Sequence, residues 1–174
     1  MQTNKYDNIL IIGSGNISDY IVFLAKKKRR NLTNISLTNM YKMSRQQKEE
    51  LLTSDYSLII YAGYDHYNFI KNIYAFIVTM NILNKHKYKG CFLFLNTQAI
   101  LSRKLIKNKV SFYEHIFFER YSITKKLQSR LLQNAKFYHL DLYLPIVTGL
   151  NNGTSSFLDR LSQSNSLFFP NRGD

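Results

Sequence analysis

A chain of 174 residues with 45% hydrophobic content can bury the core of one domain, and two Pro and seven Gly argue against long disordered stretches. Its single cysteine, Cys91, excludes an internal disulfide and lies in the apolar run Cys91-Phe-Leu-Phe-Leu95, as a buried side chain in a reducing cytoplasm would. The net charge of +13 admits nucleic acid, an anionic surface or an anionic small ligand as partner. The charge carries little functional weight, because its densest cluster, Lys26 to Arg30, follows the apolar stretch Tyr20 to Ala25, where cations complement a helix C-terminus.

In chain order, Asn8 to Ile12 reads as a strand ended by Gly13-Ser14-Gly15, with a helix from about Asn16 to Lys28. Ile35 to Thr38 reads as a second strand. Ser44 caps a polar helix over Arg45 to Leu52. Tyr56 to Tyr61 is a third strand, ended by Ala62-Gly63, and Phe69, Ile70, Ile73, Ile77, Met80 and Leu83 give helical spacing. That stretch is interrupted by Lys71, Asn72 and Asn81, and is too short and polar to span a bilayer. With a polar N-terminus and no signal peptide in view, the expectation is a cytoplasmic protein without membrane association. Phe92 to Leu95 is a fourth strand, residues 101 to 116 a basic irregular connection, Tyr121 to Leu132 a helix, and Phe137 to Leu144 a fifth strand leading into Pro145 and Ile146.

Short apolar runs alternating with helices predict an α/β fold, Rossmann-like and doubly wound, with a mainly parallel sheet and helices on both faces. Residues 1–149 would form this domain, and 150–174 a polar stretch with one short helical pattern, which the resemblance given below makes the start of a truncated substrate lobe or a tail. Ligands of such sheets sit at the carboxyl ends of the strands. Gly13, Ala62, Thr97 and Pro145 all fall there and should line one crevice. A glycine turn opening a helix suits a pyrophosphate, because the backbone can approach and the helix end supplies N–H groups.

Tyr121 and Lys125 lie four residues apart, on one helical face, and Thr97 stands 24 residues before Tyr121. An ammonium beside a phenol favours the phenolate and lowers its pKa from about 10, which makes an acid–base unit. A hydroxyl at a strand end can hold a substrate oxygen against that phenol. His66, His86, His115 and His139 lack metal-ligand spacing, so no metal site is expected.

The order of these motifs resembles the extended short-chain dehydrogenase/reductase superfamily, the nucleotide-sugar epimerases and dehydratases, over about residues 8 to 172. The residues that carry it are Ile9-Leu-Ile-Ile-Gly13, Ile59-Ile-Tyr-Ala-Gly63, Asn72, Leu95-Asn-Thr97, the Tyr121/Lys125 pair and Leu144-Pro-Ile-Val-Thr-Gly149. The resemblance implies hydride transfer at NAD or NADP, with Tyr121 as general acid/base, Lys125 on the nicotinamide ribose and Thr97 orienting the substrate. It implies cofactor contacts from Gly13, Ser14, Gly15, Asn16, Ile17, Asn39, Ala62, Gly63, Lys125, Pro145 and Ile146. The implied partner is a nucleotide sugar of surface-polysaccharide or lipopolysaccharide synthesis, and a homo-oligomer is an open expectation.

Three departures accompany the resemblance. The glycine motif is degenerate, with Ser18 at the third glycine of one form and Asn16 and Asp19 at the last two of the other. The second strand runs into Thr38-Asn39 instead of an acidic residue; nearby Lys42 or Arg45 would favour a 2′-phosphate, so NAD versus NADP stays open. The family's substrate lobe begins but does not continue past Asp174, from which little or no turnover by these residues alone is expected. The competing reading is a non-catalytic Rossmann-type binding module. A basic nucleic-acid-binding domain is a third alternative with the least support.

Overall fold

The computed structural model describes residues 8–65, 67–97 and 112–144; the side chains of Asn16, Thr97 and residues 112–119 lie outside that description. Within it the chain runs β1 (Asn8–Ile12), α1 (Asn16–Lys27), β2 (Asn31–Ile35), α2 (Leu37–Lys42), α3 (Arg45–Thr53), β3 (Leu58–Tyr61), α4 (Phe69–Lys85), β4 (Cys91–Thr97), α5 (Phe112–Leu132) and β5 (His139–Leu144). The five described strands form one sheet in the order β2-β1-β3-β4-β5, and every pairing is parallel.

Each central strand is apolar on both sides and feeds two cores. Leu10, Ile12, Ile59, Tyr61, Phe92 and Phe94 face α2 through α5, with Met40, Leu52, Phe76 and Leu132. Their alternates Ile9, Ile11, Ile60 and Leu95 face α1, with Ala25. Near-continuous apolar runs are what a parallel sheet covered on both faces requires. The α1 crossover moves from β1 outward to β2, whereas all later crossovers move the opposite way. Right-handed connections therefore place α1 on one face and α2 to α5 on the other. Cys91 is buried, and the Lys26–Arg30 cluster closes α1, whose last turn carries Lys26 and Lys27.

The other strands begin and end within two residues of the sequence expectation, and two boundaries differ by more. The second strand is Asn31–Ile35, not Ile35 to Thr38. Ser36 ends it by accepting the Asn39 backbone N–H at 3.1 Å and capping α2, so Thr38 and Asn39 are helical. Helix α5 begins at Phe112, so the last part of the expected 101–116 connection is helical; residues 98–111 lie outside the described residues. The Ser44 cap is present as a full capping box with Gln47.

Candidate functional site

The chain leaves β1 toward one sheet edge and β3 toward the other, so the carboxyl ends of these neighbours form the switch point of the sheet. Gly13 follows β1 with φ +145°, and a Cβ placed there would stand 2.7 Å from Gly63 N and 2.8 Å from the Ala62 carbonyl carbon. No side chain fits that approach. The Gly13 N–H donates to the Ile35 carbonyl at 2.8 Å and the Ala62 N–H to the Ile12 carbonyl at 2.8 Å, which ties the ends of β2, β1 and β3 together.

Gly15 caps α1 with φ +120°, no side-chain cap bond, and nothing within 4 Å of its Cβ position. Among the described residues nothing lies against that position, and an anion at the first N–H groups of α1 would gain from both the donors and the helix dipole. Ser14 is exposed and Ile17 packs toward the α1-side core. Ser18, at the degenerate third-glycine position, is only 2% exposed, its small side chain tolerated beneath the helix. Asp19 is exposed in the first turn.

Asn39 is an exposed residue of the first turn of α2, four residues beyond Ile35, where β2 meets Gly13. Ser36 occupies the position next to that point. The sequence reading missed it, although its N-cap spacing to the helical Leu37–Lys42 run was the available signal. Leu37 lies against the turn, with its Cδ1 3.1 Å from a Cβ placed at Gly63.

The loop after Gly63 is fixed from within the core. Fully buried Asn72 clasps Asp65, accepting its N–H at 2.7 Å and donating to its carbonyl at 2.7 Å, while the Asn72 carbonyl accepts from Gln128 at 3.1 Å. Asp65 also receives the Lys71 ammonium at 2.6 Å and the Tyr67 N–H at 2.9 Å. These donors hold its carboxyl below the usual range, the Lys71 bond most of all. Tyr64, in the same loop, stands edge-on to Tyr121 with ring centroids 4.6 Å apart.

Lys125 is turned inward. Its ammonium, in a residue 2% exposed, donates to the Leu95 carbonyl at 2.8 Å and stands 4.7 Å from the Phe94 ring centroid and 6.0 Å from that of Tyr121. Burial pushes its pKa down to about 7, partly offset by the Asp141 carboxylate. Asp141 is bonded by Asn96 at 2.9 and 3.2 Å and by the Ser129 hydroxyl, so Asn96 is a buried polar residue joining β4 to β5. The structure thus brings Gly13, Ala62 and Gly63 together, with Gly15 at the cap of α1 two residues on, and puts Tyr121 beside the loop after Gly63. Thr97 ends β4, the strand after β3, and Pro145 and Ile146 lie outside the described residues.

A cavity of about 600 Å³ lies between α2, α3 and α4, lined by Tyr41, Lys48, Glu49, Tyr74 and Lys85; of the residues singled out in the sequence it contains Arg45, which is thus placed on this cavity. A groove of about 560 Å³ runs between the start of α4 and α5 past Tyr67, Ile70, Arg120 and Ile123. Among the described residues no cluster of three metal-ligating side chains occurs, and no helix is long and apolar enough to cross a membrane.

No family model matches the sequence, and no curated protein does. Solved structures do match by shape. The chain is similar to dTDP-4-dehydrorhamnose reductase from Bacillus anthracis in complex with NADP, with a TM-score of 0.66 and 9% identity, over 91% of this chain and 59% of that one. It is similar to the UDP-rhamnose synthase of Acanthamoeba polyphaga mimivirus, with a TM-score of 0.61 and 13% identity, over 89% of this chain and 62% of the other. The Bordetella bronchiseptica enzyme WbmG, in complex with NAD and UDP, matches with a TM-score of 0.59 and 17% identity, over 82% and 54%. The fold is the Rossmann fold of these sugar-nucleotide enzymes, and the chain spans between 54% and 62% of their lengths.

Proposed function

We propose that this chain is the dinucleotide-binding domain of an NAD(P)-dependent oxidoreductase of the nucleotide-sugar epimerase, dehydratase or reductase kind, in surface-polysaccharide or lipopolysaccharide synthesis. The observation that carries it is the switch point itself: β1 and β3 meet at Gly13 too closely for a side chain, with the glycine-capped N-terminus of α1 just beyond, at Gly15. A pyrophosphate would lie along Gly13 to Ile17, against Ala62 and Gly63. A bound nicotinamide would supply hydride transfer. Tyr121, half-buried against Tyr64, is the proton-transfer group, with Thr97 at the next strand end holding the substrate oxygen.

The inward Lys125 favours a second reading. An ammonium spent on the Leu95 carbonyl is not presented to a nicotinamide ribose, as a non-catalytic binding module would allow. The first reading requires dinucleotide binding and turnover; the second takes a cofactor or a partner without turnover. With a partner subunit supplying the substrate lobe, Tyr121→Phe abolishes hydride transfer under the first and changes nothing under the second.

The test is calorimetric titration with NAD and NADP, on the chain and on Gly15→Val. The position of a Gly15 side chain is open, so Val strains the φ of one residue and puts methyl groups where the phosphates would sit. Binding by the parent and a loss of roughly tenfold or more in a folded Gly15→Val is the expected outcome, the loss corresponding to one or more charge-assisted hydrogen bonds. No binding of either dinucleotide by the folded chain sinks the first reading and leaves the non-catalytic module.

A further inference from the structure

We propose that the outward side of α1 and the turn after it dock on an anionic lipid surface. Phe23 and Leu24 enter its headgroup layer, and the cations of the Lys26–Arg30 run meet its phosphates. This does not depend on the dinucleotide reading, because the surface lies at the far end of α1 from Gly15. It departs from the sequence expectation of no membrane association. Among the described residues no helix is long and apolar enough to cross a membrane, so the contact is peripheral.

Ser18 and Ala25, 2% and 7% exposed, turn into the protein and fix the opposite side of α1 as the outward one. Residues 20, 23, 24 and 27 share that side by helical spacing. Tyr20, Phe23 and Leu24 are 45%, 58% and 38% exposed, and the Tyr20 and Phe23 rings stack with centroids 6.5 Å apart. Ordinary surface helices carry polar residues there. Charge continues the stripe. Lys26, Lys27, Lys28 and Arg29 are exposed, and Asp19, a full helix length away in the first turn, is the acidic residue of α1. Lys26 and Lys27, in the last turn, complement the helix dipole, whereas Lys28 to Arg30 lie beyond the helix.

The turn holding these cations is closed by the Arg29 N–H on the Lys26 carbonyl at 2.9 Å and the Arg30 N–H on the Ala25 carbonyl at 3.0 Å. Arg29 takes φ 52°, the left-handed position that glycine usually fills. The turn after α4 is built alike, with Lys87 at φ 51° and Lys89 exposed two residues on; Lys85, in the last turn of α4, is bonded to Glu49. Both turns lead into parallel strands of one sheet, β2 and β4, so their cations share the end of the sheet opposite the glycine crevice. A lipid surface fits this pairing of apolar stripe and cations better than nucleic acid does. Leu24 and two rings stacked on each other offer little to a base, which needs a free aromatic face. An acyl boundary accepts all three while cations one turn away reach the phosphates.

The test is vesicle flotation of the folded chain with phosphatidylcholine alone and with a two-to-one mixture of phosphatidylcholine and phosphatidylglycerol. The expected result is binding to the anionic vesicles roughly tenfold or more above that to the neutral ones, weakened by salt. Lys27→Gln together with Lys28→Gln should lower it by roughly tenfold or more, each cation at such a surface being worth about fivefold. The chain has no tryptophan, so Phe23→Trp places a single indole emitter in the stripe. Its emission should move to the blue on the anionic vesicles, and that of Ile70→Trp, at a position 75% exposed on α4, should not. Both positions are exposed, so neither variant disturbs the core. Equal binding to the two vesicles, an unmoved Phe23→Trp emission, a shift in Ile70→Trp alone, or binding of a single-stranded oligonucleotide in place of the vesicles overturns the inference.

Discussion

Gly13→Ala should lower the melting temperature by roughly 5 to 20 °C, on a scale of about 2–4 °C per kcal/mol for a domain of this size. Two costs add. The backbone at φ +145° suits glycine, and an L-residue there is strained by about 1–3 kcal/mol. The added methyl also meets backbone atoms at 2.7 and 2.8 Å, with no flexible side chain to give way, which costs a similar overpacking energy. Relief would require β1 and β3 to separate where Ala62 donates to Ile12. Cofactor loss in this variant would follow from a damaged switch point as much as from a blocked phosphate position. Gly15→Ala is the control, since it carries the φ strain but meets nothing within 4 Å. Thermal unfolding followed by circular dichroism separates them. A Gly13→Ala chain that melts within about 2 °C of the parent, less than 1 kcal/mol, would contradict the close approach.

Lys125 should make the fold more stable as pH rises from 7 toward 9. Its native pKa is about 7, below the 10.5 of an ordinary lysine, because burial disfavours the charged form. The unfolded chain therefore holds the proton over a window in which the native protein has released it. The state binding more protons is disfavoured as pH rises, so unfolding becomes harder by up to about 1.4 kcal/mol per pH unit. Below the native pKa the ammonium is charged in both states, and the cost of burying it remains in full. Lys125→Met keeps an unbranched chain beside Phe94 and removes the charge, but leaves the Leu95 carbonyl without this donor. Urea unfolding at pH 7, 8 and 9 should show the parent gaining about 2 kcal/mol relative to the variant across that range. Parallel pH profiles would show that Lys125 is charged throughout. The same titration bears on chemistry: a neutral amine does not assist ionisation of Tyr121, so its electrostatic help is confined to pH values near or below 7.

The parallel α/β fold was legible because β1, β3 and β4 are apolar on both faces and lie between recognisable helices. The second strand was misplaced for a physical reason. Asn31-Leu-Thr-Asn-Ile35 is a partly exposed edge strand without an apolar run, while Leu37, buried on Gly63, made the following segment look strand-like. Gly13 and Gly15 were readable because their backbone conformations follow from a strand turning into a helix. The direction of Lys125 was not. Spacing sets the helical face that Tyr121 and Lys125 share, but whether an ammonium reaches a crevice or a carbonyl depends on how α5 sits over Phe94 and Leu95. Asn96 and Asp141 were equally hidden, since their bond joins residues 45 apart in sequence.

The most direct measurement for the central claim, a dinucleotide site at the β1–β3 switch point, is an amide nitrogen–proton spectrum of the labelled chain titrated with NADP. The account predicts that the largest shifts fall on the amides of Gly13, Gly15, Ile17, Ser36 and Gly63. Unmoved signals at those positions in millimolar NADP, or shifts centred on Tyr41, Lys48 and Tyr74 around the separate α2–α3–α4 cavity, would contradict it.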